Sequence, residues 1–139
     1  MSARPHSAQQ GMVLIEALVG ILIFSIGILA MLGMQAVGVQ TTVDAKYRSD
    51  AAFLANQVVS QMWVDQANLA SYDTTGGAYA PRDSWVTQVQ NSLPKASGAN
   101  APTITVAGRQ VTVTVRWQKP GDPTVSKQIV IAQVNTPTS

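Results

Sequence analysis

Residues 12–34 read MVLIEALVGILIFSIGILAMLGM, and this stretch decides how the rest of the chain is understood. Eighteen of its 23 residues are apolar, and Glu16 is its only charge. As a helix it rises about 34 Å at 1.5 Å per residue, enough to cross a hydrocarbon core of about 30 Å. Outside it the 139-residue chain falls to about 40% apolar, ordinary for a soluble segment. A polar stretch, residues 1–11, precedes it with Arg4, His6 and no acid. Positive charge ahead of a span predicts a cytoplasmic N-terminus, with the remainder across the membrane.

Three readings compete for this segment. A cleaved secretory signal accounts for the apolar run, but small-x-small triplets such as Ser25-Ile26-Gly27 fall in mid-run, and Glu16 is out of place there. A plain signal anchor explains the span and leaves Glu16 unexplained. The third reading gives Glu16 a partner. A carboxylate at the membrane centre costs about 2.5–3.5 kcal/mol on insertion scales, and less towards the edge. The positive end of the helix dipole offsets part of that cost. A cut just before Met12 would create an α-amine four residues from Glu16, and a neighbouring copy could offer its own.

The run Gly11-Met12-Val13-Leu14-Ile15-Glu16-Ala17-Leu18 resembles the prepilin class of leader, of the type IV pilin-like family. The resemblance implies cleavage after Gly11 by a prepilin peptidase, N-methylation of Met12, and an assembly contact made by Glu16. Val13 stands where many members carry Thr or Ser, and Gly33 where many major pilins have a helix-kinking proline. The likeness covers roughly residues 1–60. It implies a structural subunit of a type IV pilus, a minor one that primes or caps assembly with other minor pilins and the major pilin. It also implies an inner-membrane precursor with a periplasmic headgroup, and later a place in the extracellular pilus. Minor pseudopilins of type II secretion share the leader and are the first alternative; a DNA-binding minor pilin, since some minor pilins act as DNA receptors, is the second. The organisation expected is therefore a leader at 1–11, a membrane and assembly helix at 12–34, and a headgroup at 35–139.

No proline occurs between Pro5 and Pro81, and helix formers continue past residue 34. Ala51, Leu54, Ala55, Val58 and Met62 recur at three or four residues, which predicts one helix from about residue 12 to 69 with an amphipathic second half. Asp44 and Arg48 sit four apart, a mild support pair. Residues 71–81 read as a loop, and Asp83-Ser84 as the start of a short helix that stops before Pro94. Two runs of period-two alternation, 103–106 and 111–117, flank Ala107-Gly108-Arg109 as a hairpin. Pro120-Gly121-Asp122-Pro123 predicts a turn, followed by a third strand at about 126–134 and a polar tail from Asn135. The fold class expected is α+β: a long N-terminal helix packed on a small antiparallel sheet of three or more strands. Val111, Val113, Val115 and Trp117 would face Leu54, Val58 and Met62, with Trp85 and Trp117 as core rather than ligand platforms.

The composition narrows function further. There is no cysteine, and the only histidine, His6, precedes the apolar run. That removes disulfides, thiolate sites and, once a leader is cut, nucleophile–histidine arrangements and histidine metal sites. The acids outside the apolar run are Asp44, Asp50, Asp65, Asp73, Asp83 and Asp122, in no recognisable catalytic pairing. A non-enzymatic chain with no cofactor, metal or small-molecule substrate is expected. After Ser71 the charge is about +3, from Arg82, Lys95, Arg109, Arg116, Lys119 and Lys127 against three aspartates. Such a balance can bind phosphate in a salt-dependent way. Scattered charges that keep a headgroup soluble explain it more simply, and nucleic acid is not an expected partner.

Overall fold

The structure, a computed structural model, describes the backbone of residues 7–135 and the side chains of residues 11–135. Arg4 and His6 of the expected leader and the tail beyond Asn135 lie outside the described residues. The chain divides into two compact units, Met1–Val43 and Asp44–Ser139.

A single helix, α1 (Ser7–Val64), supplies all the described residues of the first unit and continues into the second. It begins five residues earlier than the hydropathy suggests, because Ser7, Ala8, Gln9 and Gln10 contain no helix breaker. Its other end falls at Val64 rather than near residue 69. A seven-residue 3-10 stretch, Gln66–Tyr72, follows, broken at Asn68 by φ −108° and ψ 20°. Asp65 and Asn68 bond side chain to side chain across this junction at 2.7 Å, the kind of local pairing that competes with helix continuation.

In the second unit α2 (Ala80–Ser92) starts ahead of Asp83-Ser84. Pro81 sits in its first turn, where a missing N–H costs nothing and the fixed φ suits the helix. Asp83 still acts on the helix start: its carboxylate accepts the Tyr79 backbone N–H at 3.0 Å, reaching back to the N-cap residue. The helix ends at Ser92, and Leu93, its extended C-cap residue, stands just before Pro94.

Three strands complete the unit: β1 (Thr103–Ala107), β2 (Gln110–Gln118) and β3 (Val125–Gln133), antiparallel and in the order β1-β2-β3. Gly108, at φ +63°, takes the left-handed backbone of the β1–β2 turn. Between β2 and β3, Pro120 and Gly121 (φ +80°) occupy the central positions of a turn closed by Asp122 N–H donating to the Lys119 carbonyl at 3.2 Å, the pattern of a type II turn.

The alternation in β2 sends Val111, Val113, Val115 and Trp117 to one face, where all are buried with Ile104 of β1. They join Ala51, Leu54, Ala55, Val58 and Met62 of α1, and Trp85, Val89 and Leu93 of α2, in one core. The expected α+β arrangement of helix on antiparallel sheet is thus the one observed. The indole N–H of Trp85 donates to the Leu54 carbonyl at 2.8 Å, tying α2 to α1. That of Trp117 is buried without a partner.

Candidate functional site

In Met1–Val43 every residue from Gly11 to Val43 is exposed. Sixteen large apolar side chains between residues 12 and 34 are among them, Met12 at 74% and Phe24 at 70% exposure. Burying such a side chain is worth about 1.5–3 kcal/mol, so this surface holds tens of kcal/mol of unmade burial. A helix apolar all round is stable only where lipid or protein covers it. This helix is long and apolar enough to span a membrane.

Gly11, Met12 and Glu16 all lie on α1 with helical backbone. Met12 and Glu16 are one turn apart and exposed, Glu16 about 6 Å along the axis from Met12. Among the described residues no cation lies within ion-pair distance of Glu16, whereas Asp44, Asp83 and Asp122 all have one. A Cβ at Gly11 would meet nothing within 4 Å, so packing does not demand glycine there. Its effect is on the helix, which it weakens by about 1 kcal/mol relative to Ala.

The second unit holds polar constructions that sequence reading did not anticipate. Arg82 is 6% exposed. Its guanidinium donates to the carbonyls of Asp73 at 2.6 Å, Gly77 at 2.8 Å and Ser71 at 3.4 Å, and to the Asp83 carboxylate at 2.7 and 2.9 Å. One cation thereby fixes the path of the 71–79 loop. The Asp83 carboxyl is held below its ordinary value, chiefly by Arg82.

Asp65 collects hydrogen bonds from the hydroxyls of Tyr79 and Tyr72 and the Asn68 amide. They lower its pKa, with Tyr79 the main cause, and the Tyr79 hydroxyl is correspondingly pushed up. The two tyrosine rings meet edge to face with centroids 5.0 Å apart. An open groove of about 760 Å³ runs beside this cluster, lined by Phe53, Gln57, Val64, Asp65, Tyr72 and Pro81 among others. Its titratable groups, Asp65 and Tyr72, are bonded to each other.

Asp73 and Thr74 seal the free edge of β1. The Thr74 N–H donates to the Ile104 carbonyl at 3.0 Å, the Thr74 hydroxyl accepts the Ile104 N–H at 3.2 Å, and the Asp73 carboxylate accepts the Val106 N–H at 3.0 Å. Bonds from the Thr75 side chain and from Val106 hold the Asp73 carboxyl below its ordinary value. Asp44 meets Arg48 at 3.6 Å as the spacing predicts, and also Lys119 at 3.4 Å, a pairing that no spacing rule could show.

Comparison with protein-family profiles, with curated proteins and with solved structures gives no match to this chain. What the chain displays is a long apolar N-terminal helix joined to a unit with a small antiparallel sheet, an arrangement compatible with pilin-like architecture.

Proposed function

We propose that this chain is a minor pilin: a structural, non-enzymatic subunit of a type IV pilus that helps to prime or cap its assembly. The observation that carries the reading is a fully exposed apolar helix bearing one carboxylate, Glu16, with no cation beside it among the described residues. The precursor would be cut after Gly11 by a prepilin peptidase and methylated on the Met12 amine. Residues 12–34 would hold it in the inner membrane, N-terminus cytoplasmic, and later pack against the same helices of neighbouring subunits. A carboxylate in that apolar bundle needs an opposite charge, and the α-amine of a neighbour at Met12 supplies it. The bond to be cut lies in helical backbone, and Gly11 makes it easier to unwind for a peptidase.

The run Ser25-Ile26-Gly27-Ile28-Leu29, leading into Gly33-Met34-Gln35, resembles the minor pilin PilV, the type IV pilus modification protein. The segments Tyr47-Arg48-Ser49-Asp50 and Trp85 to Pro94 are similar to it more loosely. Partners on this reading are the peptidase, the other minor pilins, the major pilin and the inner membrane; motility would follow from membership of the fibre.

The test replaces Glu16 with Ala in a piliated strain and quantifies the sheared fibre fraction. Processing at Gly11 should persist while the variant is depleted from fibres at least about tenfold, as for an unpaired charge worth about 1.4 kcal/mol or more. Incorporation at the parental level would overturn the role of Glu16. Lost protein secretion with intact pili in a deletion strain would move the chain to the pseudopilins of type II secretion.

A further inference from the structure

The two edges of the sheet are built differently. Asp73 and Thr74 close the outer edge of β1, and among the described residues no backbone segment closes that of β3. The pairing register shows which β3 groups are left. Val134 N–H donates to the Arg109 carbonyl and Gln118 N–H points away from β3 to the Pro94 carbonyl, so bonded and non-bonded pairs alternate between these ends. Val125, Lys127, Ile129, Ile131 and Gln133 therefore turn both N–H and C=O outward. Among the described residues, the side-chain bond reaching them is a 3.4 Å contact from the Gln128 amide to the Ile129 carbonyl.

The same five residues put their side chains on the solvent face, with Ile131 62%, Val125 45% and Ile129 44% exposed. A nine-residue edge with exposed apolar side chains is a ready template for strand pairing, which proteins usually blunt. Here hydrogen bonds close β1, whereas β3 is guarded by a single edge charge, Lys127.

The charges on this face favour a partner that brings a carboxylate. Arg116 and Lys127 stand directly opposite each other between β2 and β3, a like-charge cross-strand pair of the destabilising kind. The Arg116 guanidinium turns away towards the Ala101 carbonyl and the Thr103 hydroxyl, each at 3.4 Å. No strand of the sheet contains an acidic residue, and no carboxylate pairs with Lys127 or Arg116 among the described residues.

We propose that β3 is a docking edge that receives an extended strand of a protein partner, antiparallel to it, with a carboxylate opposite Lys127 and β-branched residues opposite Ile129 and Ile131. The strand's backbone takes up the outward N–H and C=O groups, and its acid relieves the Arg116–Lys127 repulsion.

The test uses the full chain in neutral detergent micelles and a nine-residue blocked peptide, Gln-Thr-Val-Thr-Val-Thr-Glu-Thr-Val, which in antiparallel register places its Glu at Lys127. A second peptide carries Lys in place of that Glu. A third keeps the Glu and is N-methylated on the backbone of its two inner valines and its glutamate, the residues that face Ile131, Ile129 and Lys127. Titrations are followed by amide hydrogen exchange resolved by residue. The Glu peptide should protect the amides of Lys127, Ile129 and Ile131 and bind about tenfold tighter than the Lys peptide, while the N-methylated peptide should not bind. Lys127→Glu should reverse the preference. Ile129→Pro should abolish binding with the β2–β3 pairing intact, because the N–H it removes points outward.

Equal affinity for the Glu and Lys peptides, protection confined to another element, or no binding by any peptide up to millimolar concentration would overturn the proposal. Protection of β3 that rises with protein concentration alone would overturn it in favour of a second copy of this chain. Protection that needs anionic lipid would do so in favour of a membrane surface.

Discussion

Replacing Arg82 with Met keeps most of the length and apolar stem of the side chain but removes the guanidinium that holds the 71–79 loop. Two of its carbonyl bonds are short, to Asp73 at 2.6 Å and Gly77 at 2.8 Å, while that to Ser71 is long at 3.4 Å. Hydrogen bonds to a charged group are worth about 1.5–3 kcal/mol each, so the two short ones lose about 3 kcal/mol at the low end. The pair with Asp83 adds little, because that side chain is 49% exposed and water can replace the cation. For a unit of roughly 100 residues a loss of about 3 kcal/mol lowers Tm by roughly 12–24 °C. Near-ultraviolet circular dichroism of the full chain in detergent, read through buried Trp85 and Trp117, follows this melting. Arg82→Lys keeps the charge but not the fork that spans Asp73, Gly77 and Asp83, and should recover less than half of the loss. A Tm for Arg82→Met within about 3 °C of the parent would refute the clamp.

The two buried tryptophans should respond unequally to Phe. Trp85→Phe removes the bond to Leu54 as well as ring volume and should cost about 2 kcal/mol. Trp117→Phe also removes a buried, unpartnered N–H, so the two effects oppose and the cost should stay below about 1 kcal/mol. Urea unfolding ranks them, and equal losses would contradict the hydrogen-bond assignment. Four carboxyls, Asp65, Asp73, Asp83 and Asp122, titrate below their ordinary value of 3.8 in the folded unit, held there chiefly by Tyr79, Thr75, Arg82 and Thr124 respectively. A depressed folded-state pKa stabilises above the unfolded value and is lost as pH falls through the folded one. Stability should therefore be nearly flat from about pH 7 to pH 5 and decline below about pH 4. A urea midpoint unchanged down to about pH 3 would contradict these contacts.

Legibility in the sequence followed the range of the interaction. Period-two alternation placed the hairpin and its inward face to within a residue, because one strand's own pattern decides which side is buried. The α1 core face came from the 3.6 period in the same way. Pro81 misled, since a proline after Gly and Tyr reads as loop yet fits a first helical turn. Arg82, Asp65 and Asp73 were invisible as a group, because their partners are backbone carbonyls and side chains brought together only once the loop is folded. Lys119 and Asp44 are 75 positions apart, and no pattern joins them. The Gly11, Met12 and Glu16 constellation was legible as a motif, and the structure adds that nothing within the described chain covers it. The blunted β1 edge and the open β3 edge required the sheet order, which strand patterns alone do not supply.

The central claim is that Gly11 marks a cut and that the exposed helix after it enters an assembly. The most direct measurement is mass spectrometry of the N-terminus of the full-length chain, recovered from membranes of cells with an active prepilin peptidase. Cleavage after Gly11 and methylation give a chain that begins at Met12 and carries one methyl group on its α-amine. A chain that still begins at Met1, or one cut beyond the apolar run, would contradict it.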